Sequence, residues 1–219
     1  SALTENFNGT SWTEVADLNT ALRGVTGAGT STAALSLGGQ INPTTIPTGV
    51  TETWNGTSWT NGAGFVNTER SVAAGFGTAT AALMATGRVP PAGASNGSVF
   101  TESYDGSTWV AVADCNQQRY LGAEGGTQTA GILMGGQGPS NAVCEAWNGT
   151  SWTTIASLAN DDTYNAGFGS GNSTGVSAAG DGVSDTCEEF AAPATTRVAE
   201  EGQVWYNSGS NVLKGFGAQ

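Results

Sequence analysis

Hydrophobic and polar residues alternate over short runs along this chain, and the runs recur. Thr51-Glu52-Thr53-Trp54 and Thr57-Ser58-Trp59 flank Asn55-Gly56, a pattern that predicts two short antiparallel strands around a tight turn. The same wording returns in Thr4-Glu5-Asn6-Phe7-Asn8-Gly9-Thr10-Ser11-Trp12, in Thr101-Glu102-Ser103-Tyr104-Asp105-Gly106-Ser107-Thr108-Trp109 and in Cys144-Glu145-Ala146-Trp147-Asn148-Gly149-Thr150-Ser151-Trp152. A fifth copy starts at Cys187-Glu188-Glu189-Phe190 and breaks off into Ala191-Ala192-Pro193. The second Trp steps from 12 to 59, 109 and 152, so the spacings are 47, 50 and 43 residues. Self-similarity on that scale governs the fold.

A second block fills each interval. It opens near Arg23, Arg70 or Arg119, passes through a Gly/Ala-rich stretch such as Ala73-Ala74-Gly75-Phe76-Gly77, and ends in an apolar run such as Ala130-Gly131-Ile132-Leu133-Met134-Gly135-Gly136. Each repeat therefore predicts four short strands: a (Gly/Ala-rich), b (ending in Gly-Gly), c (Thr-Glu-x-Trp) and d (starting at the second Trp). The Asn-Gly or Asp-Gly pair is expected to supply the two positive-φ residues of a type I′ turn and so set the register of c against d. Paired aromatics on c and d offer large rigid faces between neighbouring sheets. Small residues on a allow sheets to crowd where they meet.

Repeats of four short strands match a β-propeller blade in size and pattern. The chain begins with c and d, runs through three full sets and ends with a, b and c, which is seventeen strands against the sixteen of four blades. Four blades close if the N-terminal c–d pair joins the C-terminal a–b pair, leaving one c strand over; five or more blades is the alternative. Residues 1–190 carry the blade pattern. Residues 191–219 hold a connector and one more hairpin, Gly202 to Phe216, which is marginal alone and is expected to dock on the propeller, on another copy or on a partner.

Composition narrows the function. Glycine is 34 of 219 residues, net charge is −12, and there is no histidine. Strong acidity argues against nucleic acid and anionic membranes, whose phosphates need Lys and Arg. Without histidine the commonest general base and metal ligand is missing. Three cysteines cannot all pair within one chain; Cys144 and Cys187 take the slot of Thr4, Thr51 and Thr101, and all three read as small buried strand residues. No apolar run is long enough to span a bilayer as a helix, and no signal peptide opens the chain. Ser1 implies processing or a piece of a longer protein.

The Gly38-Gly39 and Gly135-Gly136 pairs, with the following aromatic and the Trp about five residues after it, resemble the kelch repeat. The full wording, Thr-Glu-x-Trp-Asn-Gly-Thr-Ser-Trp with a downstream Arg and Ala-Ala-Leu-x-x-Gly-Gly, is similar to kelch-like repeats of marine bacteriophage proteins. The tail Glu201-Gly202-Gln203-Val204-Trp205-Tyr206-Asn207-Ser208 looks like segments of phage tail and virion proteins. That resemblance implies a virion location, a tail-fibre or surface-appendage role, a homo-oligomer in the particle and virion partners reached through the C-terminal hairpin. The fourth repeat departs from the pattern, with Thr163 in place of the Arg. Galactose oxidase also uses kelch-type blades, but its copper centre needs histidines, so that chemistry is excluded here.

Glu5, Glu52, Glu102, Glu145 and Glu188 recur in every repeat, as do Trp12, Trp59, Trp109 and Trp152, and recurrence marks structural roles: a catalytic acid is normally unique. The arginines are expected to pair with these glutamates. Asn-Gly-Thr at Asn8, Asn55 and Asn148 matches a glycosylation pattern that the turn already explains. No P-loop is present, Ser and Thr lack a His base, and the Asp161, Asp162, Asp181 and Asp185 acids lack the spacing of a Ca²⁺ loop. The reading is non-enzymatic, without cofactor or metal. Function is assigned instead to the loops that vary between repeats, b–c and d–a, which share one face of a propeller. They place Arg88, Asn116, Gln117, Arg119, Tyr120, Asp161, Asp162 and Tyr164 as candidate contacts to a host-surface glycan or protein. A purely structural decoration or tail component, a secreted bacterial adhesin or carbohydrate-binding module, and a polysaccharide-acting enzyme resting on the four Asp residues are the alternatives.

Overall fold

The N-terminal hairpin pairs β1 (Glu5–Phe7) with β2 (Trp12–Glu14), placing Phe7 opposite Trp12. After β3 (Leu22–Arg23) come β4 (Thr26–Thr30), β5 (Ala33–Leu37), β6 (Gln40–Ile41), β7 (Ile46–Pro47), β8 (Thr51–Trp54) and β9 (Trp59–Asn61). Strands β4-β5-β8-β9 form the first four-stranded sheet, and β3-β6-β7 form a small sheet at its loop end. The second sheet is β10 (Ala74–Thr78), β11 (Ala81–Ala85), β12 (Thr101–Tyr104) and β13 (Trp109–Ala111). The third is β14 (Ala123–Thr127), β15 (Ala130–Met134), β16 (Cys144–Trp147) and β17 (Trp152–Ile155). A three-stranded sheet, β18 (Ala166–Gly171), β19 (Thr174–Ala178) and β20 (Cys187–Ala191), follows. The hairpin β21 (Val204–Asn207) and β22 (Val212–Gly215) comes last. This computed structural model is all-β, with no helix among the described residues. Those are 1–41, 46–90, 97–161, 163–178, 180, 187–191, and, by backbone alone, 204–207 and 212–215.

Every c–d hairpin has the same register, with Phe7 opposite Trp12, Trp54 opposite Trp59, Tyr104 opposite Trp109 and Trp147 opposite Trp152. The aromatic rings of each pair lie 4.9–5.3 Å apart. The turn differs from the expected type I′. Only the glycine takes positive φ (96° at Gly9, 93° at Gly56, 97° at Gly106, 92° at Gly149), and the residue before it works through its side chain. Asn55 Oδ1 accepts from the Thr57 and Ser58 amides at 2.9 Å each, and Asp105 Oδ1 takes the matching amides of Ser107 and Thr108. An oxygen acceptor is therefore what the slot needs, which is why Asp replaces Asn in the third copy.

The sheets pack through their first strands: β4 lies against β10, β10 against β14, and β14 against β18. One backbone hydrogen bond per step links the residues just before these strands. Val72 N–H donates to Gly24 O at 2.8 Å, Leu121 N–H to Val72 O at 3.2 Å and Tyr164 N–H to Leu121 O at 3.0 Å. Gly24, Val72, Leu121 and Tyr164 all sit at positive φ, between 48° and 61°. For three of them that conformation costs about 1–3 kcal/mol, and the same strain recurs in successive repeats.

The core lies in layers between adjacent sheets. Leu35 and Leu37 meet Met84, Ala82 and Trp109 in the first layer. Phe76, Leu83 and Ala85 meet Leu133, Trp147 and Trp152 in the second. Alternate residues of β11 thus serve opposite layers, so Ala82, Leu83, Met84 and Ala85 are all fully buried. Gly131 is required by this packing, because a Cβ there would come within 2.4 Å of the Phe76 ring.

The second Trp of each hairpin ties its sheet to the preceding one. Trp109 Nε1 donates to Thr51 Oγ1 at 3.0 Å and Trp152 Nε1 to Thr101 Oγ1 at 3.0 Å. Trp59 Nε1 donates to Thr4 Oγ1 at 3.2 Å, so the two-stranded β1–β2 sheet stands before the first four-stranded one. Two expectations are corrected. Leu22, not Arg23, occupies the slot of Arg70 and Arg119: β3 pairs Arg23 with Gln40, matching the Ser71–Arg88 and Tyr120–Gln137 bridges. Among the cysteines, Cys115 and Cys144 are buried free thiols but Cys187 is exposed.

Candidate functional site

Three of the repeated glutamates, Glu52, Glu102 and Glu145, are spent inside the fold. Each accepts from two successive backbone amides of the d–a loop that precedes its own sheet. Glu52 takes Asn19 and Thr20 at 2.7 and 2.9 Å, Glu102 takes Val66 and Asn67 at 2.7 and 3.1 Å, and Glu145 takes Asn116 and Gln117 at 2.7 and 3.2 Å. All three are fully buried. In the second and third sheets an arginine joins them: Arg70 Nη2 lies 3.0 Å from Glu102, and Arg119 Nη2 is 2.5 Å from Glu145, with Arg70 0 % and Arg119 1 % exposed. Burial pulls the Arg70 pKa down while Glu102 opposes it, and the Phe65 and Phe100 rings 5.4 and 5.9 Å away cover the guanidinium. Glu188 repeats the loop clasp at the surface, taking Ala159 and Asn160 at 2.6 and 3.1 Å; those donors hold its pKa below the usual range. Glu5 makes no side-chain hydrogen bond among the described residues.

These clasps fix the loops that carry the candidate contact residues. Asn116 Nδ2 donates to Glu145 and to Trp152 O, and Gln117 Nε2 reaches Ser140 O at 2.8 Å, binding a d–a loop to the b–c loop beside it. Arg88 is half-buried and bridges Ser71, with its guanidinium 6.0 Å from the Tyr120 ring centre. Arg119 and Tyr120 lie in the interior, 1 % and 6 % exposed, so their side chains face protein rather than a ligand. Asp161 is exposed, and Tyr164 is 57 % exposed at positive φ. Asp162, Asp181 and Asp185 lie outside the described residues, as do 91–96 of one b–c loop. No group of three His, Cys, Asp or Glu that would hold a metal occurs among the described residues.

Sequence reasoning passed over Glu124. Its slot, the second residue of the first strand, is Gly27, Gly75 and Gly167 in the other sheets, so the one departure from glycine was the available signal. Glu124 lines a cavity of about 340 Å³ together with Val25, Thr26, Val72, Tyr164 and Asn165, so all four first strands or their approaches contribute. Burial pushes its pKa up to about 7, eased only by the Gly75 amide.

A scan against protein-family models finds no matching family, and a search of curated proteins finds no match.

Proposed function

We propose that the four repeats form a four-bladed kelch-like propeller that serves as a non-enzymatic surface appendage of a phage virion, presenting its loop end to a host-surface glycan or protein. The observation that carries this reading is how polar groups divide. Residues that repeat are used inside the protein: the buried glutamates accept from loop amides, and Arg70 and Arg119 donate to Glu102 and Glu145. Residues that differ between repeats, among them Asp161 and Tyr164, stand exposed on the loops.

Closure rests on the two ends of the chain. Phe168 stands in β18 where Phe76 stands in β10, yet it is 66 % exposed while Phe76 is 4 % exposed and packs edge-on against Trp152. Trp12, also 66 % exposed, borders a cavity of about 280 Å³ with Phe7, Ala34, Trp54 and Trp59. Seating β1–β2 on β19 would make a four-stranded sheet once β20, which pairs with β19 from Cys187 to Ala191, gives up that edge as the surplus c strand. The C-terminal hairpin then serves as the docking segment to other virion proteins. Until the ends meet, the exposed Leu3, Phe7, Trp12 and Phe168 also favour a second reading, a structural virion component that assembles through this apolar seam.

Glycan arrays and host-cell binding with the purified chain test recognition. The paired change Asp161→Ala and Tyr164→Ala is expected to weaken binding about tenfold or more while the unfolding curve stays in place. A chain that binds no glycan and no cell, yet assembles into particles, sinks recognition in favour of the structural reading.

A further inference from the structure

Beyond β9 the first four-stranded sheet keeps the backbone of the second but not its side chains. Gly62 N–H donates to Thr51 O at 2.7 Å and Phe65 N–H to Gly49 O at 3.3 Å, as Val112 N–H does to Thr101 O and Cys115 N–H to Val99 O. Gly49, Gly62 and Gly64 therefore stand in the slots of Val99, Val112 and Asp114. None of the three has positive φ, and a Cβ on any of them would meet no atom closer than 3.4 Å. Neither the backbone nor packing requires glycine there. The space left by the missing side chains is an open cavity of about 480 Å³ between the b–c loop, the end of β9 and the d–a loop. Small-molecule sites run to roughly 300–1,000 Å³.

Polar groups without partners border this cavity. In the second sheet Asp114 Oδ1 accepts from the Thr101 amide at 3.1 Å. With Gly64 in that slot, the amide of Thr51, a residue 1 % exposed, has no acceptor among the described residues. A buried N–H in that state calls for an acceptor. Glu69 Cγ and Phe65 Cδ2 each lie 3.7 Å from where a Gly49 Cβ would be, so both flank the same space. The Glu69 and Asn67 side chains line the cavity and make no hydrogen bond among the described residues.

We propose that this cavity binds the acetamido group of an N-acetylated amino sugar. The second sheet shows what the space takes: an acceptor oxygen, from Asp114, with the apolar carbons of Val99 and Val112 beside it. An acetamido carbonyl accepts from Thr51 N–H in place of that carboxylate, and its methyl lies over Gly49 and Gly62 in place of the valines. Its N–H and the neighbouring hydroxyls donate to Glu69 and Asn67. An anionic ligand fits less well, because Glu69 borders the cavity, no Lys or Arg lines it and the net charge is −12. The site rests on the glycan reading above, names its sugar class and does not include Asp161 or Tyr164.

The test is amide-resolved NMR of the full chain with N-acetylglucosamine, glucose and N-acetylglycine methylamide as separate probes. N-acetylglucosamine is expected to shift the Thr51, Gly62 and Gly64 amides, while glucose leaves them in place. The peptide mimic, which has the acetamido group but no hydroxyls, is expected to shift them only at higher concentration. Gly62→Val with Gly64→Asp gives the first sheet side chains that the second already carries, so the fold is kept. That variant is expected to bind N-acetylglucosamine about tenfold or more weakly. Equal shifts from glucose, a peptide mimic that binds as tightly as the sugar, undiminished binding by the refilled variant, or no response at tens of millimolar each overturns the proposal. Glycan-array binding that survives refilling but is lost with Asp161→Ala and Tyr164→Ala overturns this site alone. A chain that binds no glycan at all overturns both.

Discussion

The second sheet and the last one are built on the same four-slot pattern and end in different states. In the second, Glu102 is fully buried, clasps two loop amides and holds Arg70, and Phe76 sits against Trp152. In the last, Glu188 clasps the equivalent amides from the surface, and Phe168 stands exposed. Their neighbours explain the difference. Among the described residues, the second sheet has a sheet on each face, while the last packs on one sheet and has three strands. The repeat thus encodes a half-interface, and a residue gains its structural role only when the next sheet arrives. The N-terminal hairpin makes the same point from the other side: Trp12 carries the Trp109 pattern with no sheet against it among the described residues and is 66 % exposed against 4 %.

Substitutions at matched slots should separate these environments, beginning with the deepest. Arg70→Ala leaves Glu102 as an uncompensated buried charge and is expected to cost about 3–5 kcal/mol by chemical denaturation. Arg70→Leu imitates the first sheet, where Leu22 fills the slot and Glu52 stays buried on amides alone, and is expected to cost less. Equal losses from the two would mean that the charge pair, not the filled space, carries the slot. Trp109→Ala should cost about 3–5 kcal/mol through lost packing and the lost bond to Thr51, against well under about 1 kcal/mol for Trp12→Ala. A large loss at Trp12 would instead show that the hairpin is covered in solution, as ring closure requires.

Glu124 supplies a smaller, pH-dependent effect. Its folded pKa of about 7 lies above the ordinary 4.5, so the fold favours the protonated form. Its contribution is therefore full below about pH 4.5 and is lost as pH rises through about 7. Glu124→Gln should gain about 2 kcal/mol over wild type at pH 8 and almost nothing at pH 4. A stability difference that is flat across that window would place the carboxyl in water. The smallest effect falls on the exposed Asp105. Its turn amides, Thr108 first, lower its pKa to about 2, so its contribution is present above the ordinary 3.8 and fades as pH drops through about 2. Asp105→Asn, matching the other copies, should leave the neutral-pH midpoint unchanged and remove this share of the acid dependence.

Much of this was legible in the chain. The period, the four strands per repeat, the c–d hairpins and the internal use of the repeated glutamates all follow from local pattern, because strand alternation and turn chemistry act over a few residues. The Asn-Gly pair located each turn but not its type: whether Asn contributes φ or a side-chain oxygen depends on how four loop residues settle between paired aromatics. Arg23 reads from sequence as the counterpart of Arg70, because a one-residue offset is invisible until β3 pairs with β6. Among the loop candidates, sequence identified variable polar residues but could not tell that Arg119 and Tyr120 turn inward while Tyr164 stays out. Glu124 stood in plain view as the single acid in a glycine slot, yet its meaning depends on four first strands meeting. Sequence by itself determined the repeating sheet and its private bonds, since those are made within one repeat. Tertiary structure alone decided which identical slots are buried, charged or open, since those depend on whether a neighbouring sheet is there to fill them.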